Sequence, residues 1–306
     1  MRFSLLSLTV AAVGSAQLSA AAQSPRDAML VSSAWLAQHR GDANLVLLHV
    51  GDEKEYAQKH IAGARFVRLQ DISVSDRSET GLVLEMPKPD SLRVLLERLG
   101  ISDNSRVVVY YGSDWVSPTT RVAFTLDYAG LGARTSVLDG GMQAWIAAGN
   151  PTTTVEPTAR VGKLSPLQIR PLVVTADYVR DHIKYAGVSI VDARSGEFYD
   201  GIHDREMQHP GRHGHIAGAK SVPFDGVFDD KNVLKPAAEL REIFAKAGVQ
   251  PGDTVVGYCH IGQQATAMLF AARSIGHPVL LYDGSFTEWA RLSDAYPVED
   301  PGAKKP

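Results

Sequence analysis

Short β-branched runs alternate with amphipathic stretches along most of the chain. In the first half, Leu45–Val50, Arg106–Tyr111 and Ser136–Leu138 are nearly continuous apolar runs of strand length, the pattern of strands covered on both faces. Ser91–Leu99, Thr120–Tyr128 and Met142–Ala147 instead repeat apolar residues at helical spacing. In the second half Thr254–Tyr258 predicts a strand and Ala265–Ala271 a helix. Strands and helices in alternation predict an α/β fold, a mostly parallel sheet with helices on both faces.

The pattern is written twice. Val31–Leu36 resembles Val174–Val179, and His60-Ile61-Ala62-Gly63-Ala64 returns intact as His215-Ile216-Ala217-Gly218-Ala219. Leu95–Ile101 answers Ile243–Val249, and Arg106–Tyr111 answers Asp253–Tyr258. Leu138-Asp139-Gly140-Gly141 with Trp145 answers Tyr282-Asp283-Gly284-Ser285 with Trp289. Matching blocks in one order predict two homologous domains, an N-terminal one over 28–150 and a C-terminal one over 172–300. The segment 151–171 between them carries Pro151, Pro157, Pro166 and Pro171 and no apolar period. It reads as an extended linker running over the surface.

The start of the chain has a different character. Arg2, an apolar run from Phe3 to Val13 and small residues through Ala22 follow the order of a secretory signal. Residues 1–22 are therefore read as a signal peptide, with Ala16 as the other cleavage point, and the mature protein as periplasmic or secreted. The run is too short for a good membrane span, so no membrane association is expected after its removal. A net charge of −3 argues against nucleic acid as a partner. One cysteine, Cys259, cannot make an internal disulfide. In an oxidising compartment it is either hidden or kept for chemistry.

Between the last predicted strand and helix lie only Cys259-His260-Ile261-Gly262-Gln263-Gln264. This puts the thiol at a helix N-terminus, where backbone N–H groups and the dipole favour an anion, so it is expected to ionise easily. The other reading is a buried structural cysteine. Gly262 lets the loop curl because it tolerates positive φ. The matching first-half strand runs into Tyr111-Gly112-Ser113-Asp114 with no cysteine. Which of Gly112, Ser113 or Asp114 faces Cys259 stays open, because that loop is longer.

The doubled His-Ile-Ala-Gly-Ala, Val191-Asp192-Ala193-Arg194-Ser195 after a strand, the Asp-Gly-Gly/Ser…Trp blocks and the cysteine loop together resemble a tandem-domain rhodanese of the thiosulfate/3-mercaptopyruvate sulfurtransferase family. The resemblance runs from about Val31 to Val298. It implies two rhodanese-like domains, the first non-catalytic and the second catalytic. It implies that the Cys259 thiolate takes the outer sulfur of thiosulfate, that sulfite leaves, and that a thiophilic acceptor such as cyanide collects the sulfur from the persulfide. That chemistry needs no cofactor and no metal. The resemblance puts a substrate-binding arginine at Arg194, whose guanidinium can hold sulfite or carboxylate oxygens, with Gly51 in the first-half place. Backbone N–H groups of His260, Ile261, Gly262, Gln263 and Gln264 are expected to cradle the sulfur anion. His260, if protonated, would also lower the thiol pKa. The loop lacks the lysine or arginine common among thiosulfate users, so 3-mercaptopyruvate is the alternative donor.

Three other readings compete. His203, His209, His213 and His215 with Asp204 suggest a metal cluster, but their spacing fits no ligand pair on one helix. A phosphatase or arsenate reductase loop would carry an arginine six residues after the cysteine, where Ala265 stands. A non-enzymatic persulfide carrier would hand its sulfur to an acceptor protein.

Overall fold

The computed structural model describes residues 24–112, 116–158, 160–203 and 211–303. The expected signal peptide lies outside the described residues, as do Ser113, Asp114, Asp204 and His209. In the first half the strands are Leu30–Val31 (β1), Leu45–Val50 (β2), Arg65–Val67 (β3), Arg106–Tyr111 (β4) and Thr135–Leu138 (β5). They form one sheet in the order β1-β5-β4-β2-β3, every pairing parallel. In the second half they are Val173–Val174 (β6), Val188–Asp192 (β7), His215–Ile216 (β8), Lys220–Ser221 (β9), Thr254–Tyr258 (β10), Val279–Tyr282 (β11) and Val298–Glu299 (β12). Five of these repeat the arrangement as β6-β11-β10-β7-β9, again all parallel. The remaining two, β8 and β12, pair antiparallel.

The central strands are apolar on both sides because both sides are covered. Val107 and Val109 of β4 pack with Leu92, Leu96, Val122 and Leu126. Val108 and Tyr110 face the opposite way, onto Leu36, Ile61 and Trp145. In β10, Val256 and Tyr258 pack on Ile216 and Trp289, while Val255 and Cys259 join a core that also takes Tyr111, Val116 and Phe124 from the first domain.

The repeated motifs turn out to be repeated joints. His60 stacks on Tyr56 at 4.1 Å and His215 on Tyr199 at 3.6 Å between ring centroids. The indole N–H groups of Trp145 and Trp289 donate to the carbonyls of Pro151 and Pro297. Tyr110 and Tyr258 each accept a hydrogen bond, at 3.1 Å, from the backbone N–H of Ile61 and Ile216. Tyr110 therefore corresponds to Tyr258. The sequence match, which set Tyr111 against Tyr258, was one residue out.

The proline-rich segment does not run free. It is bound along the first domain: Thr153 and His60 exchange backbone hydrogen bonds, and Leu164 is buried with Leu92 and Leu96. The domains meet along two helices, Ser117–Tyr128 and Gln263–Ser274, each the helix that follows its domain's central strand. At their contact the Thr120 and Thr266 hydroxyls lie 3.0 Å apart.

Candidate functional site

Cys259 is the first residue beyond β10, at the carboxyl end of the central strand, where open α/β sheets place their ligands. Gly262 has φ +78 and caps the Gln263–Ser274 helix, the backbone turn expected of it. The turn curls the chain so that the backbone N–H groups of Ala265, Ile261 and Gln264 reach the Cys259 sulfur. From behind, the Ser285 hydroxyl accepts a hydrogen bond from the Cys259 N–H at 3.2 Å. Backbone N–H groups of Phe286 and Thr287 bind the carbonyls of Cys259 and His260. The sulfur thus sits in a shaped ring of amide hydrogens.

The thiol does not ionise as easily as the loop position suggested. Cys259 is fully buried. Burial pushes its pKa above the ordinary thiol value, opposed by the N–H groups of Ala265, Ile261 and Gln264 and supported by the charge of Asp192. Desolvation outweighs the helix N-terminus because every face of the sulfur is covered. The amide ring and the burial act on the same atom in opposite directions, and burial prevails.

The side chains of the loop form its rim. His260 and Ile261 are half-buried, as are Gln263 and Gln264. The His260 ring stands edge-on to Phe198 with centroids 4.4 Å apart. The Gln263 side chain leaves the loop and donates to Ser117 Oγ of the first domain at 3.1 Å.

Arg194 lies at the end of the neighbouring strand and is fully buried. Its Nε donates to Asp192 Oδ1 at 3.0 Å, and one Nη donates to Asp192 Oδ2 at 2.6 Å and to the Gly214 carbonyl at 2.7 Å. The guanidinium also covers the Phe286 ring at 4.1 Å. Much of its charge is answered by Asp192, which holds the Arg194 N–H as well. The pairing of His49 with Tyr110, and of Asp192 with Tyr258, sets Gly51 in the place of Arg194.

The same register places Tyr111, not Gly112, Ser113 or Asp114, opposite Cys259. Three contributors escaped the sequence reading. Ser285, with φ +53, brings its hydroxyl to the Cys259 N–H. Asp283 and the first-domain Arg121 pair beside Gly262. The serine was visible as a departure from Asp-Gly-Gly, but Arg121 gives no sequence signal. Among the described residues no group of three or more His, Cys, Asp or Glu could hold a metal ion, and no helix is long and apolar enough to cross a membrane.

The Rhodanese-like domain family matches residues 32–148 and again 175–292. The chain belongs to the rhodanese family. Thiosulfate/3-mercaptopyruvate sulfurtransferase 2 of Arabidopsis thaliana is 31% identical over 292 residues, covering 85% of this chain and 84% of that protein. A sulfur carrier protein of Thermus thermophilus, TtuD, is 30% identical over 277 residues, covering 86% and 94%. The thiosulfate sulfurtransferase of Rattus norvegicus is 30% identical over 243 residues, covering 78% and 80%. An anaerobic ergothioneine biosynthesis enzyme from Chlorobium limicola superposes with a TM-score of 0.77 at 22% identity, over 90% of this chain and 70% of that one. That likeness concerns the fold alone. Apart from the edge strands β1 and β6, the two matched segments coincide with the two sheets of the repeated strand order.

Proposed function

We propose that this rhodanese-family protein moves a sulfane sulfur from a small anionic donor, thiosulfate first, to a thiophilic acceptor through a persulfide on Cys259. The observation that carries the reading is the ring of N–H groups from Ala265, Ile261 and Gln264 around the sulfur. Such a ring stabilises a sulfur anion, and a persulfide keeps its negative charge on the added atom. In the first half-reaction the thiolate attacks the outer sulfur, a Cys259 S–S bond forms, and the donor's S–S bond breaks with its electron pair leaving on sulfite. In the second, cyanide takes the outer sulfur as thiocyanate and the thiolate returns. The donor approaches over the half-buried rim from His260 to Gln264, with Arg194 as the candidate cation. 3-Mercaptopyruvate is the alternative donor: its C–S bond breaks with the electron pair leaving on carbon as an enolate, which takes up the donor's thiol proton to become pyruvate.

A second reading is favoured by the relative named as a sulfur carrier: the persulfide would be delivered to an acceptor protein. Export through the N-terminal segment, to the periplasm or the outside, belongs to the same proposal. Mass spectrometry after thiosulfate, and separately after 3-mercaptopyruvate, tests it. A gain of one sulfur that Cys259→Ser abolishes and cyanide discharges supports the reading, and an unchanged mass with both donors ends it. Repeated turnover with cyanide separates the enzyme from the carrier.

A further inference from the structure

The first domain carries no cysteine, yet it reaches into the sulfur loop of the second. Arg121 projects from the middle of the Ser117–Tyr128 helix and is 1% exposed. One Nη donates to Asp283 Oδ1 at 2.5 Å and to the Gly262 carbonyl at 3.3 Å. The other donates to Asp283 Oδ2 at 3.1 Å and to the carbonyl of Leu84. Met86 of the first domain adds its backbone N–H to Asp283 Oδ2 at 2.8 Å.

Both arms of the fork end beside Cys259. Gly262 lies inside the arc from Ile261 to Ala265 that surrounds the sulfur, so holding its carbonyl fixes a peptide plane within the ring. Asp283 opens the turn whose Ser285 hydroxyl binds the Cys259 N–H. There is no slack: a Cβ on Gly262 would come within 2.5 Å of Asp283 Oδ1 and 2.9 Å of the Arg121 Nη. A planar guanidinium is suited to such a double grip, and an ammonium is not.

The repeat supplies the control. Other contacts across the domain junction have counterparts: Met86 N–H to Asp283 is answered by Leu234 N–H to Asp139, and Thr120 meets Thr266. Counted from each helix start, the partner of Arg121 is Ala267. Asp139 instead has Arg26 of the N-terminal segment, 3.9 Å away and 23% exposed, whose two Nη groups donate to the Leu234 and Lys235 carbonyls. Both halves thus dock through an arginine, but of the two, Arg121 is the one that is fully buried, with both Nη groups on its carboxylate and one on the Gly262 carbonyl of the sulfur loop.

From this we infer that Arg121 is a positioning residue for Cys259: the first domain sets the amide ring of the second through the Gly262 carbonyl and the Asp283 turn. The inference rests on Cys259 being the reactive group of the proposed transfer. Two variants test it in the full chain. Arg121→Lys keeps the charge without the fork. Arg121→Met with Asp283→Asn removes both members of the buried pair, which leaves no lone charge behind. Thr120→Val, on the same helix contact, is the comparison. The first readout is the pH dependence of Cys259 alkylation by iodoacetamide, which needs no sulfur donor. The second is the split of kcat and KM in sulfur uptake from thiosulfate.

Both Arg121 variants are expected to move the alkylation profile to higher pH, to slow alkylation at neutral pH about tenfold, and to lower kcat more than they change KM. A tenfold change corresponds to about one pKa unit. Thr120→Val stays within about twofold of the wild type. Folded Arg121 variants with the wild-type alkylation profile overturn the inference. A wild type that takes up no sulfur, with a profile that still shifts in the variants, removes the transfer reading and leaves the positioning role standing.

Discussion

Tyr111 occupies in the first domain the place that Cys259 occupies in the second. Each follows the tyrosine that binds the repeated His-Ile turn, and both side chains enter one shared core. The Tyr111 hydroxyl continues across the domain junction and donates to the Asn232 carbonyl at 2.8 Å. The residues that face them differ to match. Gly141 and Ser285 share a left-handed backbone, φ +52 and +53. A Cβ at Gly141 would stand 2.6 Å from the Tyr111 ring, whereas the smaller cysteine leaves room for the Ser285 hydroxyl.

Gly141→Ser is therefore expected to destabilise the protein by about 1–3 kcal/mol through overpacking. Adding Tyr111→Cys should return part of that loss, so that the two changes are not additive. Urea unfolding of the two single variants and the double variant measures the coupling. Additive effects would mean that the Tyr111 ring is not what excludes a side chain at Gly141.

The Cys259 thiol, pushed up by burial, is mostly protonated at neutral pH. Below its pKa the thiolate fraction grows about tenfold per pH unit. Alkylation by iodoacetamide is expected to accelerate in that proportion from about pH 7 to about pH 9. A rate that levels off before about pH 8 would mean a thiol much more acidic than its burial allows.

Glu85 of the first domain borders the Asp283 cluster. Burial, with Asp283 and Glu288 adding to it and Arg121 opposing, raises its carboxyl from the ordinary 4.5 to about 7. A raised acid holds its proton more tightly folded than unfolded, so its contribution to stability falls as pH rises from 4.5 through about 7. Glu85→Gln is expected to raise Tm at about pH 8, with the gain shrinking toward about pH 5. A pH-independent difference between variant and wild type would contradict this assignment.

Arg194 and Asp192 form a buried pair. Arg194→Ala leaves the carboxylate behind without its cation, and should cost about 3–5 kcal/mol of stability. It is also expected to raise the KM for the sulfur donor more than it changes the acceptor step. An unaltered donor KM in folded Arg194→Ala protein would confine Arg194 to supporting Asp192.

The inner strands were legible because burial on both faces leaves an unbroken apolar run, and Leu45–Val50, Arg106–Tyr111 and Thr254–Tyr258 formed with the bounds read from the sequence. The edge strands Leu30–Val31, Arg65–Val67, Val173–Val174 and Lys220–Ser221 were not, because two or three residues carry no period. Tyr110-Tyr111 offered two alignments against Tyr258, and a one-residue slip exchanges the faces of a strand. The hydroxyl contact to Ile61 and the strand register with His49 decide between them. The cysteine loop was legible as a local motif. Arg121 was not, because its partner Asp283 lies 162 positions away, and because its first-domain neighbours say nothing of that distance.

The joint between the two threonines has one more consequence. Thr120 Oγ1 is set to donate to the Ser117 carbonyl, and Thr266 Oγ1 to the Gln263 carbonyl, while the two oxygens also sit within reach of each other. Two hydroxyls own only two protons, and three acceptors ask for them. A bond between the two hydroxyls would therefore take its proton from one of the two carbonyl contacts, so the paired threonines at the domain junction hold one more contact than their protons can serve at once.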